Sequence, residues 1–193
     1  IDPENIMPGN GASELITWIG YEASQSGINC LTPPCFVDYE RSLNCWNANY
    51  IFDKLPKNWS SKNPQKFPLL PNADVLWITN PHNPTGQLWS KDSLEKLLLT
   101  YKLIICDEAF LSITPEGEKE SLISLVKDFD NLIVIRSLTK LFSIAGLRLG
   151  YMIGNSKLLN RLKEKRDPWP LNAFAIQAGI TLLGNKKEYE VWT

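Results

Sequence analysis

Four apolar runs of strand length alternate with segments of helical spacing along most of this chain of 193 residues. Strands that are apolar throughout are typical of a sheet covered on both faces, and their alternation with helices favours parallel pairing. The sequence therefore predicts an α/β fold, with a mainly parallel sheet and helices on both faces. The runs are ADVLWIT, KLIICDEAF, NLIVI and LGYMIG, and the helical segments among them are KDSLEKLLLTY, EKESLISLVKDF and SKLLNRLKEKR.

Further elements lie on either side of these runs. Apolar residues at helical spacing predict a first helix over residues 13–25, and Gly27 provides its stop. A polar, proline-rich stretch at residues 53–72 predicts a surface excursion. Short strands are expected at 28–32 and 49–52, and helices at 37–46 and 170–184.

The composition limits the classes of function. The 20 basic and 21 acidic residues give a formal net charge of −1, which offers no electrostatic basis for binding nucleic acid or an anionic membrane. The four cysteines lack CxxC spacing and there is one histidine, so a metal site of the zinc type is not expected. No run approaches the roughly 18 apolar residues of a membrane span, and the start IDPENIMPGNG does not resemble a signal peptide. A cytoplasmic protein with reduced thiols is therefore expected.

Unusual residues follow three of the apolar runs. NPHNPTG follows VLWIT, DEAF follows LIIC, and RSLTK follows LIVI. In a parallel α/β sheet, ligands bind beyond the carboxyl ends of the strands. These segments are therefore where a functional site is expected.

Two segments rich in turn residues can position a ligand. In GNGASELI, Gly9 and Gly11 flank a turn that opens a helix, and free N–H groups at a helix start suit a phosphate. An ordinary turn capped by Ser13 is the alternative. In NPHNPTG, two Asn-Pro steps form a rigid turn that fixes Asn83 as a donor and acceptor.

Two ionisable residues stand where burial is expected. Asp107 ends an apolar strand, so its carboxylate needs a cation or hydrogen-bond donors. It is either a helix cap, a structural ion-pair partner or a carboxylate that keeps a ring nitrogen protonated. Lys140 lies between Thr139 and apolar residues, where desolvation would favour its neutral, nucleophilic form and Schiff-base chemistry. A solvated lysine is the alternative.

Ser137 and Arg148 flank this lysine, and the planar donor fork of an arginine suits a dianionic phosphate. A nucleophilic lysine, a phosphate cradle from two chain regions, a carboxylate for a ring nitrogen and an asparagine for a phenolic oxygen describe one cofactor. That cofactor is pyridoxal phosphate.

The order of the motifs GNGASE, NPHNPTG, DEAF and SLTKLFSIAGLRLGY resembles that of the fold-type-I pyridoxal-phosphate enzymes of aminotransferase class I/II. The resemblance is strongest to their histidinol-phosphate aminotransferase-like branch. It implies that residues 1–193 are the large, cofactor-binding domain of the aspartate-aminotransferase-like fold. Family members also have an N-terminal segment and a small C-terminal domain with a carboxylate-binding arginine, so the chain is expected to be a fragment of a homodimeric enzyme.

The resemblance implies a role for each candidate residue. Lys140 would bind the cofactor through a Schiff base, and Asp107 would pair with the pyridine nitrogen. Asn83 would hydrogen-bond the phenolic oxygen, and Phe36 in PPCFVDY would stack on the ring. Four residues would hold the phosphate: Ala12, Ser13, Ser137 and Arg148.

Phe110 departs from the family pattern, because a tyrosine usually stands there and gives the phenolic oxygen a second donor. Phenylalanine in DEAF, together with TPEGEKES and RDPWPLNAFA, is similar to the threonine-phosphate decarboxylase subgroup of cobalamin biosynthesis. A decarboxylase that acts on a small, phosphorylated amino acid is therefore the favoured function. The alternatives are a histidinol-phosphate or related class I/II aminotransferase, the effector domain of a cofactor-binding regulator, and a catalytically silent relative.

Overall fold

A seven-stranded sheet forms the centre of the computed structural model, which describes residues 1–56, 62–68, 72–115 and 117–185. The spatial order of the strands is β1-β7-β6-β5-β4-β2-β3. Their bounds are β1 (Ile6–Asn10), β2 (Asn29–Leu31), β3 (Tyr50–Phe52), β4 (Val75–Thr79), β5 (Leu103–Asp107), β6 (Leu132–Ser137) and β7 (Leu149–Ile153).

Six α-helices accompany this sheet in the described part of the chain, with short 3-10 turns between some of them. None of the helices in that part combines the length and the apolar character that crossing a membrane requires. The helices are α1 (Gly11–Ser26), α2 (Val37–Cys45), α3 (Lys91–Glu95), α4 (Leu138–Leu141), α5 (Ser156–Lys163) and α6 (Ala173–Gly184).

The sheet carries a buried apolar layer on each face, because successive side chains of a strand point to opposite faces. Helices α1, α2 and α5 pack on one layer, and α3 packs on the other. The predicted α/β fold with helices on both faces is confirmed. The first layer includes Val75, Trp77, Leu103, Ile105, Ile133 and Ile135, and the second includes Leu76, Ile78, Ile104, Cys106, Leu132 and Val134.

Strands β2 to β6 run parallel, whereas β7 runs antiparallel to both β1 and β6. Residues 138–148 alone join β6 to β7, and a parallel connection needs about a dozen residues or more. The chain therefore turns back, and the register pairs Ser137 with Gly150. This reversal brings Arg148 back to the carboxyl end of β6, where Ser137 ends the strand and Lys140 follows in α4.

Several predicted elements differ from those observed. Strand β1 was not predicted, and the first helix begins earlier, at Gly11. The helix expected over 91–101 is α3 followed by a 3-10 turn at Lys96–Leu99. Parts of the proline-rich excursion, 57–61 and 69–71, lie outside the described residues, as does the end of the chain from 186.

The helix predicted over 118–129 is wrong. Two 3-10 turns, Gly117–Glu120 and Ile123–Leu125, occupy this segment. The Leu122 N–H donates to Glu108 Oε1 at 2.7 Å, and Ser121 Oγ accepts from Arg136 Nη2 at 2.8 Å. Glu108 directly follows β5, and Arg136 lies near the end of β6. These long-range bonds prevent the backbone of this segment from forming the hydrogen bonds of a regular α-helix.

Helices α1 and α2 pack closely at Gly20, where a Cβ would collide with Ser42 Oγ. That hydroxyl donates to the Ile16 carbonyl at 2.7 Å. Helix α1 begins at the Gly-rich turn, and α2 begins directly after Phe36. The contact therefore fixes the spacing between two segments that were predicted to bind a cofactor.

We expect Gly20→Ala to lower the free energy of unfolding by about 1 kcal/mol. Overpacking costs about 1–3 kcal/mol, whereas the better helix propensity of alanine returns about 1 kcal/mol at most. Urea denaturation measures the difference. In a Ser42→Ala background the same substitution should cost less, since the colliding hydroxyl is gone, and equal costs in the two backgrounds would contradict this packing argument.

Candidate active site

One cavity of about 170 Å³ collects every residue that the sequence singled out for the cofactor. It lies where β4, β5 and β6 end and α1 begins, as expected for a ligand site of a parallel α/β sheet. The predicted residues that line it are Ala12, Ser13, Phe36, Asn83, Asp107, Ser137, Lys140 and Arg148. The other lining residues are Ile16, Thr79, Ala109, Phe110 and Thr139.

One end of the cavity is suited to an anion. The amino end of the 16-residue helix α1 supplies Ala12 and Ser13, and the positive end of its dipole favours negative charge. Arg148 Nη1 makes one long hydrogen bond, of 3.3 Å, to the Ala145 carbonyl. Within the described residues, no carboxylate forms an ion pair with Arg148. Its guanidinium therefore keeps donors for a ligand.

Gly11 allows this arrangement. Its φ is +76°, a conformation that L side chains rarely adopt, and a Cβ at this position would collide with the Arg148 guanidinium. Glycine therefore brings the start of α1 against the arginine. The start of α1 and Arg148 thus meet from two distant chain segments.

Asp107 lies at the floor of the cavity with 4% of its surface exposed. Burial raises the pKa of this carboxyl, and three groups oppose that effect: the Tyr39 hydroxyl, the Ala109 N–H and the Lys140 charge. The hydroxyl donates to Oδ2 at 2.7 Å and the N–H donates to Oδ1 at 2.9 Å. Of the readings left open by the sequence, the structural ion pair is excluded within the described residues, since Asp107 has no salt bridge there.

Lys140 lies in the short helix α4 and is exposed, so the expectation that its neighbours desolvate it is wrong. Leu138 and Leu141 of the same helix are buried, and they turn the lysine away from the core. Its Nζ lies over the Phe110 ring, 5.2 Å from the ring centroid. The amine is therefore open to the cavity and available to a ligand.

Asn83 lines the cavity from the loop that follows β4, while Asn80 holds that loop. The Asn80 side chain accepts from the Trp89 N–H at 2.8 Å and donates to the Trp89 carbonyl at 3.1 Å. Within the loop, His82 Nδ1 bonds to Thr85 Oγ1 at 2.7 Å. The two Asn-Pro steps thus have different tasks: the first fixes the turn and the second presents Asn83.

Tyr39 and Thr79 also bear on the site, although neither was predicted from the sequence. The Tyr39 hydroxyl lies 2.9 Å from Thr79 Oγ1 and contacts Asp107 beneath the cavity. Thr79 and Asp107 are paired in the register of β4 and β5. Tyr39 follows Phe36 by one helical turn, and this i, i+3 spacing was the available signal.

A buried charge network behind the site was also missed. Arg136, 4% exposed, bonds to Glu108 at 2.8 Å and to Glu118 at 2.6 Å. Ser112 and Ser121 accept further hydrogen bonds from the same guanidinium. Burial alone would lower the pKa of Arg136, but Glu118 and Glu108 raise it. The network ties the loop after Asp107 to the strand that ends before Lys140.

A family model for aminotransferase class I and II matches residues 41–192. The chain belongs to this family. Pyridoxal phosphate, the predicted cofactor, is confirmed as the cofactor that this family membership indicates.

Named relatives of the family carry two different activities. The chain is 34% identical over 195 residues to a protein of Caldanaerobacter subterraneus subsp. tengcongensis provisionally named threonine-phosphate decarboxylase, covering 98% of this chain and 53% of that protein. It is 29% identical over 197 residues to histidinol-phosphate aminotransferase 2 of Haemophilus influenzae, with the same two coverages. The chain thus spans about half the length of the curated relatives that it matches.

Solved structures give the same two names. The L-threonine-O-3-phosphate decarboxylase of Porphyromonas gingivalis superposes with a TM-score of 0.81 at 25% identity, covering 98% of this chain and 56% of that one. The histidinol-phosphate aminotransferase of Clostridium acetobutylicum superposes with a TM-score of 0.83 at 28% identity, covering 97% and 56%. The family fold is therefore present across almost the whole chain.

The residues of the cavity fit the family's cofactor. A helix start and an arginine without a carboxylate partner in the described chain match a phosphate, and the buried Asp107 matches a protonated ring nitrogen. Lys140 lines the same cavity, and its amine is the group that would hold the aldehyde end of the cofactor.

We expect Arg136→Met to lower the free energy of unfolding by about 3–5 kcal/mol, because it leaves Glu108 charged and buried without its partner. Guanidinium denaturation at neutral pH measures this. The matched control is Arg41→Met, since Arg41 pairs with Asp38 at 2.8 Å but the two side chains are 46% and 20% exposed. The control should cost about 1 kcal/mol or less, and similar losses in both variants would contradict the importance of burial.

Proposed function

We propose that this chain is the cofactor-binding domain of a pyridoxal-phosphate-dependent enzyme that acts on the Cα of an amino acid, and that the enzyme is a threonine-phosphate decarboxylase. The observation that carries the proposal is the single cavity that joins an open lysine, a buried carboxylate and an anion cradle. Each of these groups has a matching part in pyridoxal phosphate. The cytoplasmic location and the homodimer stay predictions.

In this proposal, different residues of the chain bind different parts of the cofactor. Arg148 and Ser137 bind the phosphate together with Ala12 and Ser13 at the start of α1. Asp107 accepts a hydrogen bond from the ring nitrogen and keeps it protonated, and Asn83 donates to the phenolic oxygen. Phe36 covers one face of the ring.

Lys140 has two tasks in the proposal. Its Nζ would hold the aldehyde end of the cofactor, and when not engaged there it would move a proton at the substrate Cα. When bound, pyridoxal phosphate supplies an electron sink for the bond that breaks at that carbon. The exposed position of Lys140 suits both tasks, because its amine is open to the cavity.

Two observations favour decarboxylation. Phe110 lines the cavity beneath the lysine, and this phenylalanine is part of the resemblance to the decarboxylase subgroup. The relative provisionally named threonine-phosphate decarboxylase is 34% identical over nearly the whole chain. Histidinol-phosphate aminotransferase is the second candidate, supported by the 29% identity to the Haemophilus influenzae protein. Both named substrates carry a phosphate and an amine.

We expect Lys140→Ala in the full-length protein to abolish the visible absorbance band of a lysine-bound cofactor, because no other amine lines the cavity among the described residues. Titration with pyridoxal phosphate, followed by absorbance, measures this. Lys163→Ala, which changes an exposed lysine on α5, is the control and should keep the band. A band that survives in Lys140→Ala would contradict the assignment of this residue.

We expect the full-length protein, loaded with pyridoxal phosphate, to convert O-phosphothreonine into an amine and carbon dioxide without a keto acid. A transaminase would need the keto acid to regenerate its cofactor. Product analysis with O-phosphothreonine alone, and with histidinol phosphate plus a keto acid, separates the two functions. Turnover of histidinol phosphate only, with strict need of the keto acid, would establish the second candidate.

A further inference from the structure

The hydroxyl of Tyr39 is enclosed directly beneath the cavity. The residue is 2% exposed, and its oxygen lies 2.7 Å from Asp107 Oδ2 and 2.9 Å from Thr79 Oγ1. A buried phenolic hydroxyl is costly without partners. Here both partners lie at the ends of the neighbouring strands β4 and β5, and Tyr39 of α2 bonds to each of them.

The direction of these two hydrogen bonds follows from the chemistry of their atoms. An ionised carboxylate only accepts, so the single Tyr39 proton points to Asp107. The tyrosine oxygen is then left to accept, and the Thr79 hydroxyl donates to it. The result is a chain from Thr79 through Tyr39 to Asp107, in which each bond polarises the next.

This chain also fixes the orientation of the carboxylate. Tyr39 holds Oδ2, and the Ala109 N–H holds Oδ1 at 2.9 Å. With one donor on each oxygen, the plane of the Asp107 carboxylate cannot turn without breaking a bond. A carboxylate has about four acceptor positions, so acceptor capacity remains for a donor in the cavity.

The tyrosine ring is itself held on two sides. Its centroid lies 5.3 Å from that of Trp77 and 5.7 Å from that of Phe36. Trp77 is anchored in turn, because its Nε1 donates to Asn29 Oδ1 at 2.9 Å. One helix start therefore places both Phe36 at the cavity wall and the hydroxyl under Asp107.

We propose that Tyr39 is a positioning residue that, supported by Thr79, keeps Asp107 ionised and aimed at the ring nitrogen of pyridoxal phosphate. The inference rests on the proposed function. The titratable groups that act on Asp107 are Tyr39 from α2, Lys140 from α4 and Cys106 of the same strand. Tyr39 and Lys140 favour the charged carboxylate, and of these Tyr39 donates a hydrogen bond to it.

The first test uses the full-length protein without cofactor. Tyr39→Phe removes the hydroxyl and keeps the ring, so the pKa of Asp107 should rise by roughly one unit or more, as loss of a hydrogen bond to a charged group implies. The ¹³C shift of the Asp107 carboxyl, assigned with Asp107→Asn, reports this pKa. Tyr50→Phe is the matched control, because it also removes a tyrosine hydroxyl that bonds to a carboxylate, here that of Glu40 on α2 at 3.0 Å.

The second test measures pyridoxal phosphate affinity across pH by absorbance. Tyr39→Phe should bind the cofactor roughly 10-fold more weakly. When the solution is acidified, this variant should lose the cofactor at a higher pH than the wild type does. Thr79→Val should shift both readouts in the same direction by less. It also serves if Tyr39→Phe does not fold.

The outcomes separate this inference from the proposed function. An Asp107 pKa and an acid limb of binding that match those of Tyr50→Phe would overturn the role of Tyr39 while the cofactor assignment stands. Absence of cofactor binding by the wild type would overturn the proposed function, and the carboxyl titration would still report whether Tyr39 holds Asp107 ionised. A simple loss of stability can move the acid limb through acid unfolding, but it does not move the Asp107 pKa measured over the pH range in which the variant stays folded.

Discussion

The buried ion pair between Arg136 and Glu108 is the constraint on which the site depends. Each residue is the direct neighbour of a cavity residue, because Glu108 follows Asp107 and Arg136 precedes Ser137. Two charges buried without a solvent path are costly, and they are tolerated when geometry and further hydrogen bonds satisfy them. Glu118, Ser112 and Ser121 complete that satisfaction here. The pair thereby fixes the ends of β5 and β6 relative to each other.

The alternation of side chains along the strands keeps this network apart from the cavity. Thr79, Asp107 and Ser137 continue the face of the sheet that packs on α1 and α2, whereas Glu108 and Arg136 continue the opposite face. Arg136 therefore pairs with Glu108, and Asp107 accepts hydrogen bonds from weaker, uncharged donors, the Tyr39 hydroxyl and the Ala109 N–H. In the described chain Asp107 and Arg148 both remain free of ion pairs, which is what a ligand with one cationic and one anionic end requires.

The candidate site was more predictable from the sequence than the details of the fold. Strand ends are local signals, so the polar residues after each apolar run indicated the cavity lining, including Asn83 and Asp107. The bonds of Tyr39 and Arg136 join residues far apart in sequence, so no local pattern identifies their partners, although the i, i+3 spacing from Phe36 pointed to Tyr39 itself. The same long-range bonds replaced the predicted helix over 118–129 with 3-10 turns. The exposure of Lys140 was mispredicted because neighbouring apolar residues in a short helix point away from it.

Helix α2 shows how one wall of the cavity can suit more than one reaction. Phe36 at its start lines the cavity, and Tyr39 one turn later bonds to Asp107, so the start of one helix holds both. The start of α1 and Arg148 likewise present donors that suit an anion. A cavity that orients its cofactor from one rigid wall leaves the choice of scissile bond to whatever orients the substrate. Relatives with decarboxylase and aminotransferase names both match this chain over 98% of its length, as expected if the residues that they share position the cofactor.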